Sequence, residues 1–233
     1  MMTDPEFAAD LTGFTGTAPL FPLPNVVLFP HVALPLHIFE PRYRQMVADA
    51  LEGDRLIAIA LLKPGWEPDY DGRPPIHEMV CLGRITSHEE LESGRYNIVV
   101  TGIHRAVVVE EVAGEMPYRV GKLELYRDYY SGEPLVNRKA RQRELLLSFR
   151  KLFPNTRSDS LLSQVLEADL PLGVMSDLLA AVLKIDPLQK LSLLEELDAD
   201  LRSDLLLDKI CRLLSTAGPA PARHVFPPRF SLN

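Results

Sequence analysis

The stretch Leu20 to Val47, LFPLPNVVLFPHVALPLHIFEPRYRQMV, constrains this chain more than any other. It is almost continuously apolar, yet prolines interrupt it at positions 22, 24, 30 and 35. A proline has no N–H to give a central ladder, so these breaks mark strand ends, bulges or an edge. The pattern predicts two short strands joined by a bend at Phe29-Pro30-His31, with Leu34, Leu36 and Ile38 on the buried face of the second. At Glu40-Pro41 the period changes. Proline at a first helical position, then Tyr43, Met46, Val47, Ala50 and Leu51 on one face, predicts a helix that Gly53 ends.

Residues 1–18 mix Thr, Gly, Ala and acids without periodicity and are expected to form a flexible arm. Asp54 to Leu62, DRLIAIALL, is a strand buried on both sides. Lys63 to Glu78, with four prolines and two glycines, is a long loop. Met79 to Thr86 is a strand with a bulge at Gly83, and Glu92-Ser93-Gly94 is a turn. Tyr96 to Thr101, Arg105 to Val112 and Tyr118 to Tyr126 supply further strands, with Gly102 as an interruption. Six or seven mostly antiparallel strands with one helix are expected to curl into a partly closed barrel.

Composition changes at Asp128 to Pro134. Beyond it, leucines repeat at helical spacing: Leu145, Phe149, Leu152 and Phe153; then Leu172, Met175, Leu178, Leu179, Val182 and Leu183. Asp186-Pro187 is a helix start, followed by Leu188, Leu191, Leu194 and Leu197, and Leu206, Ile210, Leu213 and Leu214 mark a last helix that Gly218 stops. Four or five amphipathic helices form a bundle over 135–216. The proline-rich tail, 217–233, is expected to be disordered. The fold class is therefore α+β, a β-rich domain over 19–130 followed by a C-terminal helical bundle.

The opening run, the corner Ile38-Phe39-Glu40-Pro41-Arg42-Tyr43, the Gly83-Arg84-Ile85 strand and the Gly102-Ile103-His104-Arg105 strand resemble the amino-terminal substrate-recognition domain of the ATP-dependent Lon proteases, in its stand-alone bacterial form. A related domain opens the cereblon substrate receptors. The resemblance covers roughly half the chain, by order and spacing rather than by any one motif. It implies a PUA-like pseudo-barrel that recognises protein or peptide without catalysis, taking unfolded or degron-bearing clients. A role as adaptor, holdase or regulator for a separate protease follows from the same resemblance.

The net charge of −7 argues against general affinity for nucleic acid or an anionic membrane. The two cysteines, Cys81 and Cys211, read as reduced thiols. The acidic start lacks a secretory signal and no apolar run has the length of a membrane span, so the expected compartment is the cytoplasm.

No catalytic set emerges. There is no G-x-x-x-x-G-K-[ST] loop and no serine elbow, and Lys151, Lys184 and Lys190 read as solvated, so no ATPase or peptidase function and no cofactor is expected. His77 and Cys81 mimic half of a zinc motif but fall in a loop and a strand, so no metal site is expected. His88, Glu89, Glu90 and Glu92 read as a solvated hairpin tip, and His31, His37 and His104 are scattered singly. Arg138, Lys139, Arg141 and Arg143 open a helix, against its dipole; they suit either an anionic partner or a face balanced by acids of the fold. The candidate peptide site is the long loop. Trp66 and Tyr70, with Phe29, His31, Leu36 and Phe39, are expected to form a shallow groove; alternatively Trp66 plugs the barrel. Two rival readings stand beside peptide recognition: a small-molecule or nucleic-acid binder on the same fold, and a metal-dependent hydrolase at His77 and Cys81.

Overall fold

The computed structural model describes residues 11–70, 72–134, 136–153 and 170–216. Six strands form one sheet: β1 (Thr17–Leu23), β2 (Ala33–Ile38), β3 (Leu56–Leu62), β4 (Ile76–Leu91), β5 (Arg95–Val112) and β6 (Arg119–Tyr126). Helix α1 (Pro41–Glu52) lies between β2 and β3, and α2 (Arg138–Leu152), α3 (Leu172–Val182), α4 (Pro187–Glu195) and α5 (Ala199–Thr216) follow the sheet. The expected tail, with Gly218, and most of the expected arm lie outside the described residues; β1 begins at Thr17.

The strand order is β2-β5-β4-β3-β1-β6, and β6 also pairs with β5. That last pairing closes a ring of five strands, and β2 rides on the first half of β5. Closure is possible because β5 is long: Tyr96–Thr101 face β2, while Arg105–Val112 face β6. Only β1 and β3 are parallel, with β2 and α1 as the crossover between them.

The prolines sit where a missing N–H is harmless. Pro22 is paired with β3 but lies beyond Leu20, the last residue of β1 that meets β6. Pro35 is on β2, whose one neighbour is β5. Pro41 opens α1, and Gly53 closes it by donating to the Asp49 and Ala50 carbonyls.

Where the sequence pattern suggested strand, residues 24–32 form a loop. Their backbone instead bonds β5, His31 N–H donating to Gly102 O at 2.8 Å and Gly102 N–H to Val32 O at 2.9 Å, while Leu28 and Phe29 are buried. The glycines explain this close passage. A Cβ at Gly102 would collide with the Phe29 carbonyl, and one at Gly83 would stand 2.6 Å from Val100 and 3.1 Å from Leu28. The register of β4 on β5 shifts between Leu82 and Gly83, the expected bulge. Gly102 does not break the strand; β5 runs through it.

All seven residues of β3 are buried, and its period of two sorts them into two cores. Ile57, Ile59 and Leu61 join Phe21, Met46 and Cys81 with Leu145, Phe149, Leu179, Leu191, Leu206 and Ile210 from the later helices. Leu56, Ala58, Ala60 and Leu62 join Leu20, Val80, Leu82, Ala106 and Leu123, all from strands. The helices thus share one continuous core with one face of the sheet.

An ionic network sits in that contact. Arg105 of β5 grips Asp177 of α3 at 2.6 and 3.0 Å, reaches Asp128 at 2.8 Å and donates to Leu194 O at 2.9 Å. Arg202 of α5 pairs with Asp128 and Asp177 and donates to Glu196 O. The segment at Asp128 is stitched on: Tyr129 N–H donates to Leu197 O, Ala199 N–H donates to Tyr129 O, and Ser131 donates to Asp198, which caps α5.

Two of the four basic residues opening α2 meet acids of the fold: Arg138 holds Asp200, and Arg141 reaches Asp204 and Glu144. Asp186 caps α4 in a capping box with Gln189. Leu188, expected on the buried stripe of α4, is 46% exposed, because the first turn of α4 lies beyond the core that Leu191 and Leu194 enter. Lys190 is also not fully solvated. Its ammonium donates to Ala181 O at 2.6 Å, and burial lowers its pKa.

Candidate functional site

The six side chains expected to share a groove are scattered: two lie in the core shared with the helices, two against the strand-only core, and His31 and Phe39 in neither. Phe29 and Leu36 are enclosed with the helices and cannot reach a ligand. Phe39 is 42% exposed and stacks on His37, which bonds Asn97 at 2.8 Å. His31 is half-buried at φ 65°, facing Asp177 and Asp128. Trp66 and Tyr70 lie together, ring centroids 5.3 Å apart, against the strand-only core. The structure therefore pairs Trp66 with Tyr70 and separates them from the other four.

The loop that carries them runs from Lys63 to Pro75; Ile76 to Glu78, expected in the loop, open β4. His77 is thus on the same strand as Cys81, and four residues of extended chain place them about 13 Å apart, too far to share an ion. Among the described residues no group of three or more His, Cys, Asp and Glu could hold a metal ion. Burial pushes the Cys81 thiol up, which keeps it protonated.

The loop is clipped down at several points. Lys63 N–H donates to Pro75 O at 2.8 Å, and a 3-10 turn at Glu67–Asp69 is closed by Asp69 N–H to Trp66 O. Tyr70 Oη donates to Glu40 at 2.5 Å, Arg42 donates to Tyr70 O at 3.0 Å, and Arg119 donates to Pro74 O at 2.6 Å. Burial and the Glu40 carboxylate both raise the Tyr70 pKa.

These clips leave an open cavity of ≈ 270 Å³ between the loop, the start of α1 and the β5–β6 connection. Pro22, Leu62, Met116 and Pro117 supply apolar wall; Tyr43, Tyr70 and Tyr118 supply rings; Arg42, Arg73 and Arg119 supply guanidinium groups. Each element has its reason. Arg42 and Tyr43 stand at the proline-opened start of α1, where Arg42 lies over the rings of Tyr43 (4.7 Å) and Tyr70 (5.1 Å). Arg119 opens β6 and is held by Glu111 across the β5–β6 ladder. Tyr118 donates to Asp49 of α1 at 2.7 Å. Burial pushes the Tyr43 hydroxyl up to about 12, so it stays a neutral donor near pH 7.

Of this set only Tyr70 was a sequence-level site candidate. Tyr43 reads from its spacing as core, and so it is, at 6% exposed. Met116 to Arg119 carry no motif. Adjacent aromatic and basic residues at a strand start were the one available signal.

The ring of five strands and the helices that share its core form a mixed α+β fold of the kind solved for Lon proteases. The N-terminal domain of a Mycobacterium avium complex Lon protease superposes with a TM-score of 0.65 at 15% identity, covering 86% of this chain and 98% of that one. A Lon N-terminal domain protein from Xanthomonas campestris gives 0.60 at 23% identity, covering 82% and 97%.

A model of the ATP-dependent protease La (Lon) substrate-binding domain matches residues 17–212, and the chain belongs to that family. Lon protease 2 of Myxococcus xanthus is 28% identical over 200 residues, covering 83% of this chain and 23% of that protein. Lon protease of Paraburkholderia phytofirmans is 28% identical over 217 residues, covering 87% and 26%. The chain spans about a quarter of the length of these curated relatives. Among the described residues no helix is long and apolar enough to cross a membrane.

Proposed function

We propose that this chain captures extended segments of protein clients at the cavity between Arg42, Tyr70 and Tyr118, on behalf of a Lon-type proteolytic system. The observation that carries this is the lining itself. Exposed Met116 and the Pro22, Pro117 and tyrosine faces suit apolar side chains, while guanidinium groups at the rim suit main-chain carbonyls and carboxylates. The family supports substrate recognition in proteolysis; delivery to a separate protease as an adaptor, and the choice of unfolded or degron-bearing clients, belong to the proposal.

The test is fluorescence anisotropy of a labelled, permanently unfolded protein titrated with this chain, beside a folded control. Micromolar binding, on the order of −8 kcal/mol, that spares the folded control is expected. Met116→Asp, which places charge on the apolar wall without touching either core, should weaken it at least about tenfold. Absence of binding to unfolded chain would sink the capture reading.

A further inference from the structure

The cavity holds more hydrogen-bond donors than the fold uses. Tyr43, only 6% exposed, lines the cavity, and its hydroxyl bonds no described residue. Arg42 spends Nε and Nη2 on Glu40 and the Tyr70 carbonyl, which leaves its Nη1 donors unused by described residues. Arg73 is exposed and forms no hydrogen bond or ion pair with a described residue. Arg119, 8% exposed, is fixed by Glu111 and Pro74 O; its charge is matched by Glu111 as that of Arg42 is by Glu40, so Arg73 is the lining cation without an acid among the described residues. Among the described lining residues there is no carboxylate, although the whole chain carries a net charge of −7. Asp71, between Tyr70 and Gly72, lies outside the described residues.

We infer that this cavity is a carboxylate-recognition pocket, taking the C-terminal carboxylate or an acidic side chain of a client peptide on Tyr43, Arg42 and Arg73. The inference rests on the capture reading and names the chemistry of what is captured. Two features point to a chain end or one acidic side chain rather than a whole cofactor. The volume, ≈ 270 Å³, lies just below the ~300–1,000 Å³ of pockets that enclose drug-sized ligands. The donors are grouped beside apolar wall, so one anionic group and its neighbouring apolar side chain are satisfied together. A guanidinium supplies paired N–H groups in the geometry of a carboxylate, and a neutral phenol adds a donor without competing as an anion.

Three labelled forms of one short, unstructured Leu- and Tyr-containing peptide provide the test: free C-terminus, C-terminal amide, and amide with one internal Glu. Each is titrated by anisotropy into the full chain and its Arg73→Glu, Tyr43→Phe and Asp71→Asn variants, with the unfolded-protein probe alongside. The free-carboxylate form, the Glu form or both should bind at least about tenfold more tightly than the plain amide. Which of the two binds identifies the source of the carboxylate. Arg73→Glu should abolish the preference and Tyr43→Phe, which keeps the ring in the core, should reduce it several-fold. Asp71→Asn should leave or strengthen it. Equal binding of all three peptides, or a preference untouched by Arg73→Glu, overturns the carboxylate pocket. If the unfolded protein still binds in that case, the capture reading survives; if neither unfolded protein nor any peptide binds, both fall.

Discussion

Arg105 of β5 and Asp177 of α3 face each other in a two-pronged ion pair, 2.6 and 3.0 Å, with both side chains 1% exposed. They are 72 residues apart in sequence, one in the barrel and one in the helical part. A charge placed there without its partner would be desolvated and uncompensated. The pair therefore specifies how helices meet sheet more than it adds net stability.

Removing one side of this pair should be severe. Asp177→Leu is expected to cost about 3–5 kcal/mol, since Arg105 then keeps only the partly exposed Asp128 and the Leu194 carbonyl, and the buried Arg202 loses an acid as well. The combined Arg105→Met, Asp177→Leu variant should recover much of that loss, because an apolar pair of similar volume replaces two buried charges. Urea unfolding of the two single variants and the double closes the cycle. Additive losses would show that the two groups are not coupled.

Gly102 and Gly114 make a paired test of the loop that crosses β5. Gly102→Ala forces a methyl against the Phe29 carbonyl and to 3.0 Å from the Cys81 sulfur, with backbone rather than a flexible tip in the way. A loss above about 2 kcal/mol is expected, with the opening loop displaced. Gly114→Ala meets nothing within 4 Å and should change stability by no more than about 0.5 kcal/mol. Thermal or urea unfolding reads both, and equal effects would contradict the close passage.

Much of this architecture was legible because it is local. Proline at 41, glycine at 53 and Asp186-Pro187 act within one turn, and the apolar run at β3 needs no partner to be read as doubly buried. What was hidden depends on distant residues. Val26 to Phe29 are β-prone, but a glycine seventy-odd positions later lets their backbone lie across β5 as a loop. The cavity was hidden for the same reason, as Tyr43, Arg73 and Arg119 come from three elements and none is unusual alone. Trp66 and Tyr70 stand out as aromatic residues in a polar loop, whereas the sequence offers no sign that Phe29 and Leu36 face the helices.

Three histidines predict a pH dependence of fixed sign. Burial lowers the pKa of His31, His77 and His104 below 6.5; for His77 the Lys63 charge adds to it. Each folded pKa therefore lies below the unfolded value, and the unfolded chain binds more protons as pH falls. Stability is fully present above about 6.5 and declines below it. Urea midpoints should fall between pH 7.5 and 5.5. The fall should be smaller in a His31→Asn, His104→Gln variant, Asn being chosen because it tolerates the positive φ at position 31. An unchanged fall would assign the effect to carboxylates instead.

Trp66 and Met116 separate a structural aromatic residue from a contact residue. Trp66 is half-buried, packs edge-on against Tyr70 and touches the strand-only core, and it does not line the cavity. Trp66→Ala should therefore lower stability by about 1–3 kcal/mol, less than the ~3–5 of a fully enclosed aromatic residue. Measured below its unfolding transition, it should keep client affinity within about twofold. Met116, 49% exposed on the cavity wall, should behave in the opposite way, with stability preserved and affinity lost in Met116→Asp. Tyr70 joins the two, because its ring packs on Trp66 while its hydroxyl holds Glu40. Tyr70→Phe should keep the packing but free the loop, so amide exchange should quicken over residues 66–70 and 72–73 while the barrel strands stay protected. A tenfold affinity loss in Trp66→Ala without loss of stability would move the contact surface from the cavity to the tip of the loop.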